Sequence, residues 1–268
     1  MTKNNILIND TQVIILAAGM GKRMKSQKHK VLHLIGARTM LDMVISNVSK
    51  ITNDIILVQS KTLSQYTEKY SNICEFAIQE EALGTAHAIF SGIDLIDPSV
   101  TLALIYGDHP FIKHSTIKAL VEHLQTTKSS VVTLAFNADN PNAYGRIVTD
   151  KEGQFVKIVE SQYASQEESK ITLCNSGIMA FAPGVIHKYL AYCLVPNSQK
   201  NINIQDIKNM KIEDLREFGN KRQLYITDII DVCKSRGEMV SYMVSQDANE
   251  VIGINTQDEL KSANKINR

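Results

Sequence analysis

A chain of 268 residues is long enough to bury a sizeable core, as one large α/β domain or two small ones. Its 44% hydrophobic and 21% charged residues are those of an ordinary soluble globular protein. A net charge of +1 lacks the basic excess of a general nucleic-acid binder, and no apolar run approaches the ~20 residues a membrane helix needs. Cys74, Cys174, Cys193 and Cys233 are scattered without metal-ligand spacing, which points to four reduced, buried thiols and to the cytoplasm. The Ile6-Leu7-Ile8 patch is too small for a signal-peptide core.

The first apolar run, Val13 to Leu16, predicts a buried strand leading into the small-residue turn Ala17-Ala18-Gly19-Met20-Gly21. Lys22, Arg23, Lys25, Lys28 and Lys30 then place five cations within nine residues. Glycines let a backbone approach a ligand, and free N–H groups at a strand-to-helix turn favour an anion, so phosphate is the expected guest. A dinucleotide fingerprint needs a third glycine where Met24 stands and an acid after the second strand, which ends Val58-Gln59-Ser60. A Walker A loop needs glycine at Leu16 and Ser or Thr at Arg23, and fails. A glycine turn with a merely solvated basic face stays open at this point.

Further along, Met40, Leu41, Val44, Ile45 and Val48 recur at helical spacing, and Ile55 to Val58 form a second apolar strand. A polar helical segment, Leu63 to Tyr70, precedes a strand at Phe76 to Ile78. The loop Gln79-Glu80-Glu81-Ala82-Leu83-Gly84 enters a helix at Thr85. Leu102 to Tyr106 is an apolar strand ending in Gly107-Asp108-His109-Pro110, and Ser115 is the expected N-cap of a helix through Leu124. After a strand at Val131 to Phe136 and a polar loop from Asn137 to Tyr144, Arg146 to Thr149 pairs with Phe155 to Val159 as a hairpin. Ser176 to Phe181 is a strand, Val185 to Tyr192 a helix, and Asn197 to Asn220 a polar lid or added helical excursion. Thr227 caps a helix from Asp228, Val240 to Val244 and Val251 to Ile254 are short strands, and Thr256 with Glu259 suits a capping box.

Strand and helix alternate, which predicts an α/β, Rossmann-like, mostly parallel sheet with helices on both faces. Ligands of such sheets bind at the carboxyl ends of the strands, where Gly19 to Arg23, Gln79 to Thr85 and Asp108 fall. An acid after Gly107 is well placed to hold Mg²⁺ beside phosphates. His109 is expected to pack beside it, because Mg²⁺ prefers oxygen. His29, His33 and His87 lack ligand spacing and are expected to be structural.

The segments LAAGMGKRM, KVLH, QEEALGTAHA, IYGDHP, AYGRI, IVE, NSGI, YITDII and GIN together resemble, in order, the bacterial N-acetylglucosamine-1-phosphate uridylyltransferases, from about Gln12 to Glu259. The likeness is to the pyrophosphorylase half of that bifunctional enzyme. It implies a nucleotidyltransferase (glycosyltransferase-A-like) fold as a single domain, with a nucleotide lobe over about 12–135 and a smaller sugar-phosphate lobe over about 136–268. It also implies UTP and N-acetylglucosamine-1-phosphate as substrates and Mg²⁺ as cofactor. Leu16, Ala17, Ala18, Gly19 and Gly21 would hold the nucleotide, with Arg23 and Lys30 as the catalytic, phosphate-neutralising cations. Gln79, Gly84 and Thr85 would read uracil. Asp108 and Asn255 would bind the metal, and Gly145, Glu160 and Asn175 the amino sugar, with Tyr106 and Tyr144 as walls.

Four departures from the family pattern stand out. His29 replaces a proline before the lysine, which is expected to loosen that loop. Gln223 and Ile252 replace acids, and Asn197 to Asn220 is longer than its counterpart. No hexapeptide repeat follows Leu260, so no left-handed β-helix and no acetyl-CoA chemistry are expected in this chain. The competing expectations are a pyrophosphorylase for another sugar-1-phosphate or NTP, and a sensing module that binds without turnover.

Overall fold

The computed structural model describes residues 10–141, 144–195, 201–221 and 223–266. The Ile6-Leu7-Ile8 patch lies outside them. Val13, Ile14 and Ile15 have no exposed surface, as a strand covered on both faces requires. They lie in β1 (Thr11–Leu16), which pairs in parallel with β4 (Ile55–Gln59) on one side and β6 (Thr101–Tyr106) on the other. β5 (Glu75–Ile78) extends the parallel set beyond β4.

The sheet then turns mixed. β10 (Leu173–Phe181) runs antiparallel between β6 and β7 (Val131–Asn137), and β11 (Val240–Val244) pairs in parallel with β7 at the edge. The hairpin β8 (Arg146–Thr149) and β9 (Phe155–Val159) joins through a Cys174–Arg146 pairing. One nine-stranded sheet therefore runs through both expected lobes. A separate two-stranded ribbon, β2 (Leu34–Ile35) and β3 (Arg38–Thr39), precedes the first helix.

Alternate residues of β1 feed two apolar layers. Val13 and Ile15 pack with α1 (Met40–Val48) and α4 (His114–Thr127), while Ile14 and Leu16 pack with α3 (Thr85–Ser91), α5 (Val185–Leu194) and α8 (Asp228–Ser235). The minor helices are α2 (Ser64–Thr67), α6 (Ile204–Lys208) and α7 (Ile212–Lys221), and α9 (Gln257–Ile266) ends the described chain. The expected helical excursion is thus present as α6 and α7, although 197–200 lie outside the described residues. α9 carries the expected capping box: Glu259 N–H donates to Thr256 Oγ1 at 3.2 Å, and Thr256 N–H to Glu259 Oε2 at 2.9 Å.

Several local expectations are corrected. α4 begins two residues earlier than a Ser115 cap would allow, with Lys113 at the N-cap and no side-chain cap. Residues 251–254 form no strand, because a 3₁₀ turn at Ala248–Val251 redirects the chain toward Asp108. Thr227 stands at the N-cap of α8 without capping it; its helical backbone turns the hydroxyl elsewhere. His29 keeps a proline-like backbone. It is buried at φ −52°, a value proline itself would adopt, with its ring edge-on to Tyr66 at 6.3 Å.

Glu238 ties the β11 end to α5, accepting from Ser130 Oγ and Tyr189 Oη at 2.5 Å each and from Lys188 Nζ at 2.9 Å. The Ser130 hydrogen bond, then those of Tyr189 and Lys188, hold its carboxyl down to about 2. A depressed carboxylate contributes stability above its unfolded value and loses it as the pH falls toward the folded value. Glu238→Ala is therefore expected to lower unfolding free energy by about 2 kcal/mol at neutral pH. That deficit shrinks as urea melts are taken from about pH 4.5 toward about pH 2. A deficit constant with pH would contradict the network.

Candidate active site

The carboxyl ends of β1, β5 and β6 open on one cleft of two adjoining compartments, about 210 Å³ and 550 Å³. Leu16, Ala17, Ala18, Gln79 and Gly84 line the inner one. Gly21, Arg23, Gly145, Glu160, Asn175 and Asn255 line the outer, and Gly19, Lys30, Thr85, Tyr106 and Asp108 line both. Every site residue expected from the sequence thus borders this cleft. Of the five clustered cations, Lys22, Arg23 and Lys30 reach it and Lys25 and Lys28 do not.

The turn after β1 is tighter than a strand-to-helix turn. Only a 3₁₀ turn, Lys22–Met24, follows it, so the positive charge here comes from side chains rather than from an α-helix terminus. Gly21 sits at φ +72°, and a Cβ there would lie 2.6 Å from Lys30 Cβ. The glycine thus lets Lys30 fold back over the turn. Its Nζ donates to Asp108 Oδ2 and, at 3.0 Å, to Asn255 Oδ1.

Asp108 is buried on the sheet's edge, and burial alone would raise its carboxyl. The Lys30 ammonium, joined by His109, instead holds it well below the usual carboxylate range. His109 does more than pack: its Nδ1 lies 2.9 Å from Asp108 Oδ1 and anchors the second oxygen. Asn255 reaches the same point because Ile254 N–H donates to the Asp108 carbonyl at 3.0 Å. Burial and the Asp108 charge raise Tyr106, so its phenol stays protonated.

At the outer end, β10 shifts register against β7 between Asn175 and Met179, a bulge that turns Asn175, Ser176 and Gly177 into the cleft. Asn175 Oδ1 accepts from Thr133 Oγ1 at 2.6 Å and Gly177 N–H at 3.0 Å, and its amide nitrogen has no hydrogen-bond partner among the described residues. The Thr227 hydroxyl, freed from capping, donates to Glu160 Oε1 at 3.1 Å. Burial pushes the Tyr144 phenol up to about 12, and its ring meets Phe136 edge-on at 4.9 Å.

At the inner end, Gln79 Nε2 donates to the Gly84 carbonyl at 3.1 Å and meets His87 Nδ1 at 3.2 Å. A carbonyl only accepts, so the amide nitrogen is committed and Oε1 is the group without a partner among the described residues. Burial lowers His87 and favours its neutral ring, whose Nδ1 accepts where the Gln79 amide donates. Gly84, at φ +138°, presses so closely on Leu224 that a Cβ would lie 2.4 Å from its carbonyl oxygen.

Sequence reasoning missed Tyr225, Thr227 and Gly253 as lining residues, and treated Gln223 only as a departure although it borders both compartments. The YITD and GIN segments were the signal for the first three. Their residues meet the cleft only through tertiary folding.

A model of the nucleotidyl transferase family matches residues 12–232. The chain belongs to that family. Curated relatives include the bifunctional protein GlmU of Zymomonas mobilis, 34% identical over 259 residues, and that of Staphylococcus saprophyticus, 33% identical over 257. Those matches take in 94% and 95% of this chain and 52% of each relative, so the chain spans about half the length of the curated relatives it matches. The fold is shared with a Bacillus anthracis protein assigned as a glucose-1-phosphate thymidylyltransferase, with a TM-score of 0.72. That likeness has 21% identity and covers 96% of this chain and 95% of the other. Among the described residues no helix is long and apolar enough to cross a membrane.

If Lys30 sets the charge state of Asp108, Lys30→Met leaves burial to dominate and the Asp108 carboxyl titrates higher. Carbon-13 NMR titration of the aspartate carboxyls checks this; an unmoved Asp108 would show that the ammonium is not its partner in solution.

Proposed function

We propose that this cleft transfers uridylyl from UTP to N-acetylglucosamine-1-phosphate, forming UDP-N-acetylglucosamine and pyrophosphate. The observation that carries this reading is the Lys30 ammonium held between Asp108 and Asn255, where the inner and outer compartments meet. A nucleotide in the inner compartment and a sugar phosphate in the outer would bring their phosphates together there. Family membership and the ordered motifs support the same assignment.

The base reading rests on Gln79. With its amide nitrogen committed to Gly84 and His87, Oε1 offers an acceptor to the N3–H of uracil or thymine; cytosine presents an acceptor at N3 and leaves two acceptors facing. Glu160, steadied by Thr227, and the Asn175 amide nitrogen supply an acceptor and a donor for the amino sugar.

The residues at the junction fit Mg²⁺. Asp108 and Asn255 contribute hard oxygen donors already arranged around a cation. Among the described residues no three His, Cys, Asp or Glu side chains form an all-protein cage, which suits an ion completed by substrate phosphates. Bound there, Mg²⁺ would neutralise triphosphate charge. In the reaction a sugar-phosphate oxygen forms a bond to the α-phosphorus, and the bond from that phosphorus to the pyrophosphate oxygen breaks. Both reactants are anionic, so Arg23 and Lys30 act by suppressing repulsion and aligning them. The attacking oxygen is already ionised at neutral pH, and no protein base is needed.

Pyrophosphate release measured over a grid of NTPs and sugar-1-phosphates is expected to peak with UTP and N-acetylglucosamine-1-phosphate. A higher rate with another pair would reassign the substrates, and UTP binding without product from any sugar phosphate would make the protein a sensor. Asp108→Asn is expected to lower kcat at least about 100-fold with its circular-dichroism spectrum intact. An unchanged kcat would remove Asp108 from the metal site.

A further inference from the structure

No step above uses the helical excursion of residues 201–221, yet it reaches the nucleotide end of the cleft. On α7, Arg216 Nε lies 2.9 Å from Glu81 Oε2, and Nη2 bonds Oε1 of the same carboxylate. The guanidinium holds the Glu81 carboxyl below its usual range. Leu215, next to Arg216, is buried in the apolar layer beneath, and Gly219 lies so close to Leu83 that a Cβ would sit 3.1 Å from it. α7 therefore braces the outer side of the Gln79–Thr85 loop, whose inner side carries Gln79, Gly84 and Thr85.

The loop has no regular structure between β5 and α3, and the Arg216 pair is its one ion pair among the described residues. Its other anchors include bonds just past α7: Leu224 N–H to the Leu83 carbonyl at 3.0 Å, Ala86 N–H to the Leu224 carbonyl at 2.8 Å and Ile226 N–H to Thr85 Oγ1 at 2.9 Å. The His87 ring, which meets the Gln79 amide at 3.2 Å, also lies close enough to Glu81 to feel its charge. A displacement of Glu81 thus moves the short irregular loop that also carries Gln79, the group proposed to face the base.

We propose that Arg216 is a positioning residue for nucleotide binding. By gripping both oxygens of Glu81 it holds the loop in its binding shape and never touches the nucleotide. This rests on reading the inner compartment as the nucleotide site. A forked guanidinium–carboxylate pair fixes direction as well as distance, and a loop ordered beforehand spares binding that entropy cost. Because the pair is partly exposed, with side-chain exposures of 44% and 30%, its loss is expected to be felt in ligand affinity without unfolding the chain.

The test is UTP titration by calorimetry on the whole chain, with steady-state kinetics and amide hydrogen exchange over residues 80–85. Arg216→Ala is expected to weaken UTP binding about fivefold (about 1 kcal/mol), leave kcat within about twofold, and speed exchange in the loop. Arg216→Lys, which keeps charge and loses the fork, falls between, and carries the comparison if the alanine variant loses its circular-dichroism spectrum. The double variant Glu81→Arg with Arg216→Glu regains part of the affinity. Wild-type binding of UTP with Arg216→Ala unchanged in affinity and exchange would overturn the positioning role alone. Wild-type protein that binds no UTP would overturn the nucleotide reading, and this inference with it.

Discussion

A lysine ammonium shared by a carboxylate and a carboxamide oxygen is the constraint on which the rest of this structure turns. Lys30 follows the first strand, Asp108 follows β6, and Asn255 comes from the chain's last quarter, so the contact closes loops of 78 and 225 residues in separation. Three buried or half-buried polar groups can meet this way only if the sheet between them is rigid. The side chains of Val13 to Ile15 and of Leu104 to Ile105, fully buried on paired strands, supply that rigidity.

The same sheet explains how two unlike compartments share one junction. Parallel strands β1, β5 and β6 deliver a glycine turn, the Gln79–Thr85 loop and an acid to one edge, as strand polarity requires. β10 arrives from the opposite direction, and its bulge, not its end, brings Asn175 to the cleft. Polar groups around the cleft are further steadied by neighbouring side chains: Asn175 by Thr133, Glu160 by Thr227, and Asp108 by His109. Removing such a neighbour leaves the group present and misdirected.

Much of this was legible in the amino acids. Uninterrupted apolar runs marked the buried strands, Gly19 and Gly21 marked the turn after the first, and Thr256 with Glu259 marked a helix start, because each signal is local and has one physical cause. What escaped depended on tertiary surroundings. Thr227 reads as a cap, yet its hydroxyl is drawn to Glu160. A histidine in place of proline reads as a loosened loop, yet burial against Tyr66 holds His29 at a proline-like φ. Strand direction is silent in an apolar run, so the antiparallel course of β10 was invisible, and so was the grip of α7 on Glu81, 135 residues away.

The central claim is that the Lys30 ammonium occupies the point where a metal ion and the substrate phosphates are proposed to gather. Crystals grown with UTP and Mn²⁺ and measured at the manganese absorption edge would test it most directly. The account predicts an anomalous peak between Asp108 and Asn255, with Lys30 swung onto a phosphate oxygen. A peak elsewhere in the molecule, with Lys30 still bonded to both residues and the nucleotide remote from them, would contradict it.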